Sequence, residues 1–212
     1  MSVVCKRVQA TEESGFSPDQ ILDAIFTIFS RILAHTRNLE EKPTSIFDHK
    51  HKAVHLKQED LEETPQSSDL DTTGSDNSSE EDLCCLLDKY DIENFVILCY
   101  KGMNFNEHML ILSMMFLDKI LEKKFVLTDK NINKTFFICM MEVQKFYEDV
   151  PFTNKDFAKL CGLSTKELLE LEFEFMDYID YNMNISDDKY FSYKNRLKKF
   201  FDNNVILHTK YL

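Results

Sequence analysis

The chain has 212 residues, 43 % hydrophobic and 29 % charged, enough apolar material for one ordinary domain with additional segments. A formal charge of −12 excludes a general nucleic-acid binder, which needs cations to neutralise phosphates, and has the wrong sign for an anionic membrane surface. Only four Gly and four Pro, with no Trp, argue against a many-turned β-sandwich and favour helices.

Residues 1–16 hold no apolar run of signal-peptide length and are expected to be a disordered N-terminus. Over 17–38 the pattern predicts an amphipathic helix, with Ile21, Leu22, Ile25, Ile28, Phe29, Ile32 and Leu33 at helical spacing. Ser17 supplies an N-cap, Pro18 a preset first helical residue, and Asp19 a favourable negative charge. Residues 39–90 read as a linker. Within it, 59–82 carries ten acidic residues, no basic one and no aromatic, so it cannot bury enough surface to offset its ordering entropy. This stretch is where most of the net charge resides. Ser68, Ser78 and Ser79 each have an acid three residues on, and Thr64 precedes Pro65; these are the candidate phosphosites. His49, His51 and His55 lack a fourth ligand at metal-site spacing. Residues 69–80 imitate a calcium loop but put Asp76 where an apolar residue normally sits, and no helices flank it. No metal and no cofactor are expected.

Beyond the linker the chain reads as short helices with tight connections. They are Asp91–Lys101 ending at Gly102, Asn106–Leu121, a third from a Thr128 cap to about Asp149, and Thr153–Cys161 with Gly162 as C-cap. Ser164 and Glu167 form a capping box that opens a fifth helix to roughly Tyr181, and a short amphipathic piece follows Ser186. Nothing alternates with period two. The expected fold is all-α: five compact helices over 91–183, one N-terminal helix before them, and a C-terminal helix and tail over 184–212. Six Cys without a CxxC pair read as reduced thiols, and no apolar run reaches the ~18 residues of a bilayer span. An intracellular soluble protein of nucleus and/or cytoplasm is expected.

Projected at ~100° per residue, Phe136, Met140, Val143 and Tyr147 form one stripe of the third helix, with Ile138 and Met141 nearly opposite. A helix apolar on two faces is central to its bundle. Lys145 closes the Ile138–Met141 face. In the fifth helix Leu168, Leu171, Phe175 and Ile179 make the core stripe, and Glu172 falls about 40° from Leu168, inside the apolar face. A carboxylate there is costly without a donor, so Lys145 and Glu172 are the two charges that most need a role.

At these residues the sequence resembles a cyclin box. The stretch MMEVQKFYEDV (140–150) is similar to the cyclin pattern of an apolar helix ending in Lys, an aromatic and an acidic pair. LSTKELLELEFEFMDYIDYNM (163–183) resembles the fifth box helix, and MMFLDKI (114–120) the second. DIENF at 91–95, the GLSTKEL turn at 162–168 and the helix before the box resemble the P-type (U-type) cyclins, related to the fungal phosphate-regulation cyclins.

The resemblance implies a single cyclin box in a non-enzymatic regulatory subunit that binds and activates a cyclin-dependent protein kinase. No nucleic acid, membrane or small-molecule substrate is implied. It implies that Lys145 and Glu172 form the polar centre of the kinase-facing surface, with Phe146, Glu148, Met176 and Tyr181 around them, and that Asp118 is a structural charge of the box. Gln144 stands where the family usually has a small residue, and a longer side chain beside Lys145 would alter how closely a kinase approaches. The first-helix arginine that pairs with the box aspartate in many relatives is absent. The alternative reading is a cyclin-box scaffold or adaptor that binds protein partners without activating a kinase.

Overall fold

The computed structural model describes residues 16–37 and 90–209, with side chains to 204, as seven helices and no strand among these residues. In chain order they are α1 (Pro18–Thr36), α2 (Ile92–Gly102), α3 (Glu107–Glu122), α4 (Ile132–Tyr147), α5 (Asn154–Cys161), α6 (Thr165–Tyr178) and α7 (Asp187–Thr209). The expected all-α architecture is what the chain adopts. The linker's phosphosites Thr64, Ser68, Ser78 and Ser79, its histidines and the calcium-loop mimic lie outside the described residues.

Local chemistry sets most helix starts. At α1 the Ser17 hydroxyl accepts from the Gln20 amide at 3.3 Å and the Gln20 side chain accepts from the Ser17 amide at 2.9 Å. Asp91 and Asn106 cap α2 and α3 by accepting from the amides of Asn94 and Met109, while Thr153 with Asp156 and Ser164 with Glu167 make full capping boxes like that of α1. Gly162 takes the left-handed conformation, φ 76°, that ends α5. Two boundaries differ from expectation. Helix α4 begins at Ile132 rather than behind Thr128, because the Asn131 side chain folds back onto the Thr128 amide (2.8 Å) and the Val126 carbonyl (3.0 Å), closing a turn first. Helix α7 is not short: it runs for 23 residues.

Helix α4 is the axis of the bundle, with 13 of its 16 residues buried, and α2, α3 and α6 pack around it. Edge-to-face aromatic pairs tie the layers together: Phe29 of α1 to Phe136 (5.0 Å between centroids), Phe137 to Phe157 of α5 (6.4 Å), and Phe116 of α3 to Phe175 of α6 (6.1 Å). Each buried Phe of this kind contributes roughly 1.5–3 kcal/mol through surface removed from water.

Helices α1 and α7 lie against each other and both touch α3. Phe16 meets Phe201 at 6.0 Å, and the Arg31 guanidinium stacks 4.9 Å from the Phe200 ring while bonding Asn204. This apolar and cationic seam gives α7 a partner along much of its length and explains why it is long. At the far end of α1, Arg37 pairs with Asp129 at 3.2 Å, and the Tyr90 carbonyl accepts from the Asn133 side-chain amide at 2.9 Å, so the last residue of the first described segment and the first residue of the second are both tied to the entry of α4. Cys99, Cys139 and Cys161 are buried and in no disulfide; burial pushes the Cys99 and Cys139 thiols up, away from the reactive thiolate.

Candidate functional site

The last turn of α4 and the face of α6 beside it bring Lys145 and Glu172 together. The Lys145 ammonium lies 2.8 Å from Glu172 Oε1, and Glu172 Oε2 accepts from the Asn154 side-chain amide of α5 at 3.2 Å. The Lys145 ammonium also stands 5.9 Å from the centre of the Phe157 ring. The side chains of Lys145 and Glu172 keep 18 % and 23 % of their surface, enough to reach a partner laid on the protein. The donor that Glu172 required is thus Lys145 itself.

A third charge completes the group, and the sequence reading missed it. Glu142, one turn before Lys145, is buried and places Oε1 3.4 Å from the same ammonium, without a hydrogen bond of good geometry. Burial pushes its carboxyl up to about 7; Lys145 opposes the rise and Glu172 adds to it. The signal was available: Glu142 interrupts the apolar run FFICMMEV and falls about 40° from Ile138, by the same projection that singled out Glu172.

Of the expected neighbours, Phe146 is exposed next to Lys145, edge-on to Tyr147 at 5.0 Å. Glu148 is the C-cap of α4, with its amide bonded to the Gln144 carbonyl at 3.0 Å. Met176 is half-buried on α6, and Tyr181 is 63 % exposed just beyond that helix. Leu169 and Phe173, at i−3 and i+1 from Glu172, are also exposed, as are Val150 and Phe152 in the loop after α4; the sequence reading did not single out these four. Apolar side chains therefore border the polar centre from α4, from α6 and from the loop that follows α4. The exit of α6 is strained: Asp180 and Tyr181 are consecutive non-glycine residues at φ 54°. Lys123, reaching across to Asp180 at 2.8 Å, helps hold that turn.

Gln144 does not stand beside Lys145 at the surface. Its side chain is buried, donating to the Met103 carbonyl at 3.0 Å and accepting from the Phe152 amide at 3.2 Å, and so it fastens the α4–α5 loop to the α2–α3 connection. Asp118 sits on α3, partly buried, with its carboxyl pushed up by burial while the Tyr193 hydroxyl and the Arg196 charge, both from α7, oppose that rise. The C-terminal helix thus supplies the Asp118 carboxyl with a hydroxyl and a positive charge. Among the described residues no cluster of His, Cys, Asp or Glu could hold a metal ion, and no helix is long and apolar enough to cross a membrane.

Comparison with known proteins places these elements in context. The family model described as Cyclin matches residues 19–183, from α1 to the end of the α6 exit. The chain is 23 % identical to Cyclin-U4-1 of Arabidopsis thaliana over 110 residues, 51 % of this chain and 54 % of that protein. It is 31 % identical to PHO85 cyclin-7 of Saccharomyces cerevisiae over 78 residues, 37 % of this chain and 27 % of the yeast protein. Similarity to the G1/S-specific cyclin pas1 of Schizosaccharomyces pombe is 38 % over 50 residues, 24 % of this chain and 12 % of that one. The chain spans about half the length of the Arabidopsis relatives it matches.

Proposed function

The chain belongs to the cyclin family, and from that premise we propose that it is the regulatory subunit of a cyclin-dependent protein kinase, which it binds through the surface centred on Lys145 and Glu172. One observation carries the reading: an ion pair at the junction of two helices, partly open to solvent, with exposed Phe146 next to Lys145 and exposed Leu169 and Phe173 next to Glu172 on their helices. A surface of this composition, aromatic and aliphatic around a charged centre, suits a protein partner better than a small molecule. The yeast relative's name makes it a cyclin of PHO85, and a kinase of that kind is the partner we assign.

In this reading the chain supplies no catalytic group. Lys145 donates to, and Glu172 accepts from, the kinase backbone beside its regulatory helix, and the apolar rim excludes water from those bonds. Each charge-assisted bond is worth roughly 1.5–3 kcal/mol. Holding that helix in its active position sets the kinase's own Lys–Glu pair, which orients the ATP phosphates. Activation then equals the difference in affinity for active and inactive kinase.

The test is a pull-down from native cells with tagged full-length wild type and a Lys145→Ala/Glu172→Ala variant, followed by mass spectrometry and a kinase assay on the recovered complex. A protein kinase retained by the wild type and lost from a variant that still melts cooperatively is the expected result. A bound kinase whose rate does not rise would favour an adaptor, and no kinase in either sample would refute the reading.

A further inference from the structure

Three ionisable groups meet where a two-residue ion pair would suffice. Lys145 carries one positive charge between Glu172 at 2.8 Å and Glu142 at 3.4 Å, and the two carboxylates reach it from different helices. Glu172 has a second donor in Asn154; the Glu142 side chain keeps only 7 % of its surface. Fully ionised, the group carries a net negative charge in a place poor in water; with one proton added, it is neutral. The buried member is the one for which ionisation costs most.

We propose that Glu142 is a positioning residue of the kinase-facing site: it shares the Lys145 ammonium with Glu172 in the free protein and takes up a proton when the partner covers the site. Capture of the kinase then weakens as pH rises through neutrality. The proposal rests on the kinase reading and deepens it.

The sign follows from two effects that agree. Covering the site removes the remaining water, which further disfavours an ionised Glu142. Drawing the Lys145 ammonium toward the partner's backbone removes the charge that lowers Glu142's proton affinity. Both make the bound form hold its proton to higher pH than the free form, whose carboxyl is already pushed up to about 7 by burial. The groups acting on Glu142 are Lys145 from α4 and Glu172 from α6; Cys139 of α4 feels the Glu142 charge in turn, but its thiol is pushed up by burial and brings no charge near neutrality. One proton taken up on binding changes affinity by at most about tenfold per pH unit.

Two measurements test this on the full chain. In the free protein, carbon-13 NMR of the Glu142 side-chain carboxyl should show a midpoint near neutrality; a midpoint in the ordinary carboxylate range overturns the proposal. With the kinase identified in the pull-down, purified, as the probe, wild-type affinity should fall by several-fold or more from about pH 6 to pH 8, the ceiling being tenfold per unit. Glu142→Gln, which keeps the shape of the protonated carboxyl, should give a flat profile near the acidic wild-type value, and Glu142→Leu serves as a second neutral variant. Kinase binding with a wild-type profile as flat as the variants overturns the proposal and leaves the kinase reading standing. Absence of binding at every pH defeats that reading and the proposal together.

Discussion

Glu142→Gln should make the free protein more stable at alkaline pH, and the size of the effect follows from the structure. The Glu142 carboxyl moves from 4.5 in the unfolded chain to about 7 in the fold, chiefly through burial. At ~1.4 kcal/mol per pH unit this is about 3 kcal/mol. Because the folded pKa is the higher one, the folded state binds more protons across that window. Wild-type stability from this group is therefore fully present below about 4.5, declines as pH rises, and is gone above about 7. Gln at this position is neutral throughout and carries no such slope. For a domain of this size the gap corresponds to ~6–12 °C in melting temperature. Thermal melts followed by circular dichroism at about pH 5 and pH 8 should show the variant gaining on the wild type by that amount. The raised Asp118 carboxyl is present in both proteins and cancels in the difference. Parallel pH dependence in the two proteins would refute the reasoning.

Two further substitutions probe the frame around the site. Tyr193→Phe removes the hydroxyl bonded to the partly buried Asp118 carboxyl and should cost about 1–3 kcal/mol in urea unfolding, while kinase capture is unaffected. Gln144→Ala strands the Phe152 amide and the Met103 carbonyl together, so amide exchange at Phe152 should quicken and stability should drop by about 1–3 kcal/mol.

Sequence and structure agree best where the physics is local. The Ser164–Glu167 capping box and the Gly162 C-cap depend on residues a turn apart, and the placing of Lys145 and Glu172 at apolar faces depends on helical angles, which a sequence displays directly; that the two pair with each other is a tertiary contact between helices, which it does not. Thr128 was misleading because a cap is decided by which side chain reaches which amide, and Asn131 reached Thr128 first. The length of α7 depends on Phe16, Arg31 and α1, more than 150 positions away, and no local pattern encodes that contact. Gln144 illustrates the same limit: its position in the helix was legible, but its two bonds belong to loops on either side. Glu142 was legible by angle and passed over.

Arg37 and Tyr90, where the first described segment ends and the second begins, are fastened to Asp129 and Asn133, four positions apart at the entry of α4. The end of α1 and the approach to α2, 53 positions apart in sequence, thus share one corner of the bundle. A change at Asp129 or Asn133 is therefore felt by both described segments at once.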